Sequence, residues 1–133
     1  MRLLPFLIGL LTASIGLAEG FSTHKFAHVG EHDLKLDLYK PTGEPKGVIV
    51  WVHGGAWRGG TRANTSLRRM TVHGWAVASV DYRLSGVAPF PAQSHDIKAA
   101  IRYLRAHAEP LGLPTQPFVI SGASAGGHLA AIV

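Results

Sequence analysis

A glycine-x-serine-x-glycine run, Gly122-Ala123-Ser124-Ala125-Gly126, stands between the apolar segment Phe118–Ser121 and the small, helix-compatible residues Ala125–Val133. Few local patterns restrict a fold so strongly. To lift a serine hydroxyl clear of a sheet, the chain must turn so sharply that the residues two before and two after it have no room for side chains. The helix that follows also presents free N–H groups and a partial positive charge beneath the hydroxyl. A flexible Gly/Ser turn has the same composition, but it needs neither the strand before nor the helix after.

A second element, His53-Gly54-Gly55-Ala56-Trp57, follows the apolar run Gly47–Val52. Consecutive small residues leave backbone N–H groups free to hold a negatively charged oxygen, which acyl transfer creates when a carbonyl becomes tetrahedral. A phosphate-binding loop is the alternative. The segment has neither a Gly-Lys-Ser/Thr ending nor a G-x-G-x-x-G pattern.

The rest of the chain supplies a scaffold for these two turns. His32–Tyr39 alternates, with Leu34, Leu36 and Leu38 on one side and Asp33, Lys35, Asp37 and Tyr39 on the other, which predicts a half-buried strand ended by Pro41. Gly47–Val52, Trp75–Tyr82 and Phe118–Ser121 are continuous apolar runs, as in parallel strands covered on both faces. Asn64–His73 predicts a short helix stopped by Gly74. From Pro91 to Ala108 the period becomes that of a helix: Ile97, Ala100, Ile101, Leu104 and Ala108 share a face opposite Lys98, Arg102 and Arg105. Alternating strands and helices imply an α/β class, with right-handed crossovers and a mainly parallel sheet.

Taken together, these segments resemble the α/β-hydrolase fold, in particular carboxylesterases of the hormone-sensitive-lipase-like and bacterial feruloyl-esterase-like groups. The resemblance rests on His53-Gly54-Gly55-Ala56-Trp57, Asp81-Tyr82-Arg83-Leu84, Phe90-Pro91-Ala92-Gln93 with Asp96, and Gly122 through Ala130. Leu36-Asp37-Leu38-Tyr39-Lys40-Pro41 is similar to the strand that precedes the oxyanion strand in these families. The resemblance implies that Ser124 is the nucleophile and that Gly55, Ala56 and Ala125 supply oxyanion-hole amides. Trp57 would lie at the rim of the acyl site. It further implies hydrolysis of small-molecule or polysaccharide-linked carboxylic esters through an acyl-serine, with no cofactor and no metal.

In this fold the triad runs serine, then Asp or Glu, then His along the chain. Nine residues follow Ser124, among them His128 but no carboxylate. Single α/β domains reach roughly 200–250 residues, so the acid and base are expected beyond Val133. The chain then reads as an N-terminal part truncated after the serine turn. Alone it is expected to be inactive, and poorly soluble because the strand Phe118–Ser121 lacks its next neighbour. An aryl-formamidase-like amide hydrolase, which shares the His-Gly-Gly-x-Trp pattern, and a non-catalytic interaction fragment are the other readings.

Composition narrows the setting. Without cysteine, among 133 residues, there is no disulfide, Cys-based zinc site or cysteine nucleophile. The net charge of +5 comes from scattered residues, with only Arg68-Arg69 adjacent, so a solvated surface is expected rather than nucleic-acid binding. Met1-Arg2, the apolar Leu3–Leu11 and the small residues up to Ala18 read as a signal peptide over residues 1–18, leaving 19–133 as the hydrolase part. The expectation is a secreted or periplasmic protein with no stable membrane insertion after cleavage.

The remaining polar residues take structural readings. His24, His28 and His32 recur every four residues, yet Gly30 and the strand after it favour an exposed leading strand over a metal site. Asp96 is read as an early-turn helix carboxylate, Asp81 and Arg83 as an ion pair that fixes loops, and His53 as an anchor of the glycine loop. Trp51 and Trp75 are read as core.

Overall fold

The three continuous apolar runs become the centre of one five-stranded sheet. The computed structural model describes residues 20–133, and the segment 1–18 read as an export signal lies outside the described residues. The strands are β1 (Ser22–Val29), β2 (His32–Tyr39), β3 (Val48–Val52), β4 (Ala76–Val80) and β5 (Phe118–Gly122), and the helices are α1 (Ala92–Ala106), α2 (Ala108–Leu111) and α3 (Ala125–Ile132). Spatial order is β1-β2-β4-β3-β5. β3 pairs in parallel with both β4 and β5, whereas β2 runs antiparallel to β1 and β4. Four of the five strands therefore point one way, and the sheet is mixed rather than uniformly parallel.

Every residue of β3 and β4 is buried, as strands covered on both faces require. Val48, Val50 and Val52 pack with Leu36, Leu38, Ala78 and Val80 against Ile97, Ala100 and Leu104 of α1 and Leu129 of α3. On the opposite face Ile49, Trp51, Val77 and Tyr39 meet Leu67, Met70 and Trp75. That second layer alters the reading of β2: Asp37 and Tyr39, expected on a wet side, are 3% and 5% exposed.

The segment expected as a helix over 64–73 forms a six-residue 3-10 helix, Arg68–His73. Thr71 Oγ1 bonds the Arg68 carbonyl at 3.0 Å, a local competitor for regular α-helical bonding. Gly74 ends it as expected, at φ 83. Trp51 is core, while Trp75 is half-buried. Among the described residues β5 pairs only with β3 and has no neighbour on its other edge, and Val119 on it is 43% exposed. No helix among the described residues is long and apolar enough to cross a membrane.

Candidate active site

The site forms where the strand order reverses. The chain leaves β3 toward β4 on one side and returns to β5 on the other, so the loops after β3 and β5 open side by side, the place where α/β sheets hold ligands. Val52 and Gly122 are register partners at the two strand ends. The Ala123 amide bonds the Val52 carbonyl at 3.3 Å, joining the two loops at their root.

Ser124 holds φ 52 and ψ −121 and is exposed. A non-glycine residue there stores about 1–3 kcal/mol of backbone strain, sustained only when its surroundings fix it. They do so through two glycines. A Cβ on Gly122 would collide with the Gly126 carbonyl and stand 2.8 Å from the Gly127 nitrogen, and one on Gly126 would collide with the Val52 and His53 carbonyl oxygens. The sharp bend expected at this motif is present.

The glycine loop abuts that bend. A Cβ on Gly54 would lie 3.4 Å from Ser124 Cβ. Gly55 sits at φ 125, where a side chain would strike the Gly59 carbonyl, and Ala56 and Trp57 follow at φ 52 and 61. The Gly55 carbonyl accepts bonds from the Arg58 and Gly59 amides at 3.0 and 2.9 Å, closing the turn. Among the described residues, the Gly55 and Ala56 amides donate to no protein acceptor, and Ala125 opens α3, where N–H groups have no intrahelical partner. Unspent donors from two loops beside an exposed hydroxyl are what an oxyanion site requires.

Buried side chains hold these loops. The His53 ring, 1% exposed, stacks on Tyr82 with centroids 4.4 Å apart, and Tyr82 Oη donates to the His53 carbonyl at 2.9 Å. His53 is thus the anchor that its place in the sequence suggests. Burial pushes the Tyr82 phenol above its usual pKa. Arg62, which sequence reasoning passed over, ties the end of the glycine loop to two strands: it donates to Asp37 at 2.9 Å and to Asp81 at 2.7 Å, while Ser79 Oγ donates to its carbonyl at 2.6 Å. Partial burial disfavours the Arg62 cation, but the Asp37 and Asp81 bonds outweigh it, so its pKa is raised. Two carboxylates beside apolar runs, at Asp37 and Asp81, were the available signal.

The expected pairing of Asp81 with Arg83 does not form. Asp81 takes Arg62, and Arg83 instead grips Asp96 through its amide, Nε and Nη2, all at 2.9 Å. Asp96 lies early in α1, as expected, but it is also a buried anchor, and its bonds raise the Arg83 pKa. His128 is exposed and lies edge-on to Trp57 with centroids 5.6 Å apart. His24 and His28 separate, to Ser22 at 2.7 Å and to Asp33 at 2.6 Å.

Residues 36–133 match the BD-FAE family. The chain belongs to that family, within the α/β-hydrolase fold. The chain is 37% identical over 104 residues to Esterase LipC of Mycobacterium tuberculosis, covering 73% of this chain and 26% of LipC. It superposes on Thermogutta terrifontis esterase 2 with propionate bound at TM-score 0.75 and 35% identity, covering 86% of this chain and 45% of that one. A bacterial heroin esterase gives TM-score 0.76 at 33% identity, covering 84% and 37%. The chain spans less than half the length of each of these relatives.

Proposed function

We propose that this chain carries the nucleophile half of a carboxylic ester hydrolase. Ser124 Oγ attacks the ester carbonyl carbon, the carbonyl oxygen becomes an anion held by the Gly55, Ala56 and Ala125 amides, and the C–O bond to the alcohol breaks. The alcohol leaves with the serine proton, and water then releases the acid from the acyl-serine. One observation carries this reading: the strained, exposed Ser124 abuts the glycine loop, with unspent amides around it. The names of the relatives, esterases all, support the same reaction.

The 133-residue chain alone is proposed to be a poor catalyst, since among the described residues neither histidine of the two turns has a carboxylate partner: His53 Nδ1 meets the Gly54 carbonyl and its ring stacks on Tyr82, and His128 lies against Trp57. Export with cleavage after Ala18, and action on small-molecule or polysaccharide-linked esters outside the cytoplasm, complete the proposal. The test incubates the chain with a fluorophosphonate, with free imidazole as external base. The expected result is an adduct on Ser124, located by peptide mass spectrometry and absent from Ser124→Ala. Labelling at another residue, or equal labelling of the variant, overturns the esterase reading. Turnover of p-nitrophenyl acetate without added base, abolished in Ser124→Ala, overturns the claim of inactivity.

A further inference from the structure

Beside the serine turn lies a cleft of about 360 Å³ whose lining includes Ala56, Trp57, Arg58, Phe90 and His128. Ligand pockets run from about 300 to 1,000 Å³, so this one, at the lower end, suits a small ligand. Its walls carry two exposed aromatic side chains, Trp57 at 42% and Phe90 at 64%. Trp57 is pinned where it stands: its carbonyl accepts the Ser85 amide at 2.8 Å, and His128 meets the indole edge-on.

The charge in the cleft has one sign. Among the described residues, its ionisable lining groups are Arg58 and His128, and no carboxylate lines it. The nearby carboxylates are already taken, Asp81 by Arg62 and Asp96 by Arg83. Among the described residues, the Arg58 guanidinium makes no ion pair and no hydrogen bond, while its own amide is fixed to the Gly55 carbonyl. An exposed, unpaired guanidinium on the same lining as two aromatic side chains matches a planar group that bears an anion, through paired N–H···O bonds and stacking.

We propose that the Trp57–Arg58–Phe90 cleft selects ester substrates carrying an aromatic ring with a carboxylate of its own, separate from the ester under attack. Arg58 is the specificity-determining residue, and Trp57 and Phe90 are the stacking surface. The substrate class rests on the esterase reading, but the binding preference does not need it.

The test therefore measures binding on the full chain by heteronuclear NMR, following the Trp57 indole N–H signal, assigned with Trp57→Phe. The probes are 4-hydroxybenzoate, its methyl ester, glucuronate and acetate. An exposed ion pair is worth up to about fivefold in affinity, so 4-hydroxybenzoate should bind about fivefold more tightly than its methyl ester, and more tightly than glucuronate or acetate. Arg58→Gln, whose side chain has no partner to lose, should level the acid and the methyl ester while leaving the rest of the spectrum unchanged. Equal binding of acid and methyl ester by the unaltered chain, a preference that survives Arg58→Gln, or glucuronate binding as tightly as the aromatic acid each overturns the proposal. Failure of fluorophosphonate labelling with the preference intact removes the esterase reading and leaves the anion-selective cleft.

Discussion

Gly126→Ala sets two physical effects against each other. Gly126 is the second residue of α3, and its φ is not in the left-handed region. On helix propensity alone, alanine should stabilise a helix interior by up to about 1 kcal/mol. The surroundings reverse the sign. The new Cβ would stand 2.7 Å from the Val52 carbonyl carbon and closer still to the Val52 and His53 oxygens, all of them backbone atoms at the end of a fully buried strand. Nothing there can rotate away, so α3 must lift off β3. Overpacking of this kind costs about 1–3 kcal/mol, occasionally more, which outweighs the propensity gain. Gly127→Ala is the internal control: one residue along the same helix, its Cβ would meet the Gly122 carbonyl oxygen at 3.2 Å, a contact that a small adjustment relieves. Urea unfolding followed by circular dichroism, at constant m, should place Gly126→Ala about 1–3 kcal/mol below the parent and Gly127→Ala within about 0.5 kcal/mol of it. The lifted helix also carries Ala125, so Gly126→Ala should lose fluorophosphonate labelling at Ser124 while Gly127→Ala keeps it. Equal stability of the two variants would show that the strand–helix approach is not the reason for glycine at 126.

Two further outcomes test the supports of the site. Asp96→Ala leaves the Arg83 guanidinium, only 18% exposed, without the carboxylate that takes two of its bonds and a third from the Arg83 amide; a loss of about 3 kcal/mol is expected by thermal or urea unfolding, and a loss below about 1 kcal/mol would make the pair incidental. Tyr82 has a pKa raised above 10.0 by burial, so the folded chain keeps the phenolic proton that the unfolded chain releases. Its contribution to stability is complete below about pH 10 and is lost as pH rises through the folded pKa; Tyr82→Phe should remove that alkaline component in urea titrations carried above about pH 10.

What could be read in advance was what local chemistry compels. The bend at Ser124 needs glycine at 122 and 126 for steric reasons that act within five residues, and both glycines meet backbone where the motif says they must. β3 and β4 declare themselves through β-branched runs, since a strand buried on both faces has no place for polar residues. Partnerships across the fold were another matter. Arg83 is close in sequence to Asp81, yet it pairs with Asp96 because α1 brings that carboxylate beneath it. Arg62 sits in a loop with no pattern of its own, and its value depends on β2 and β4 lying side by side. The burial of Asp37 and Tyr39 likewise depends on a second layer formed by Leu67, Met70 and Trp75. Periodicity within a strand reports one covered face, not what a distant segment places over the other.

The pairing of β5 with β3 has a consequence for how the site comes into being. The glycine loop and the serine bend are about seventy residues apart in the sequence, and the ladder Val48–Val52 with Phe118–Gly122 is what brings them together. Without that ladder β1 to β4 can be complete while the two loops stay apart. A molecule that binds only the joined loops strengthens the β3–β5 pairing, so amide exchange along β5 should slow when the space between the loops is occupied.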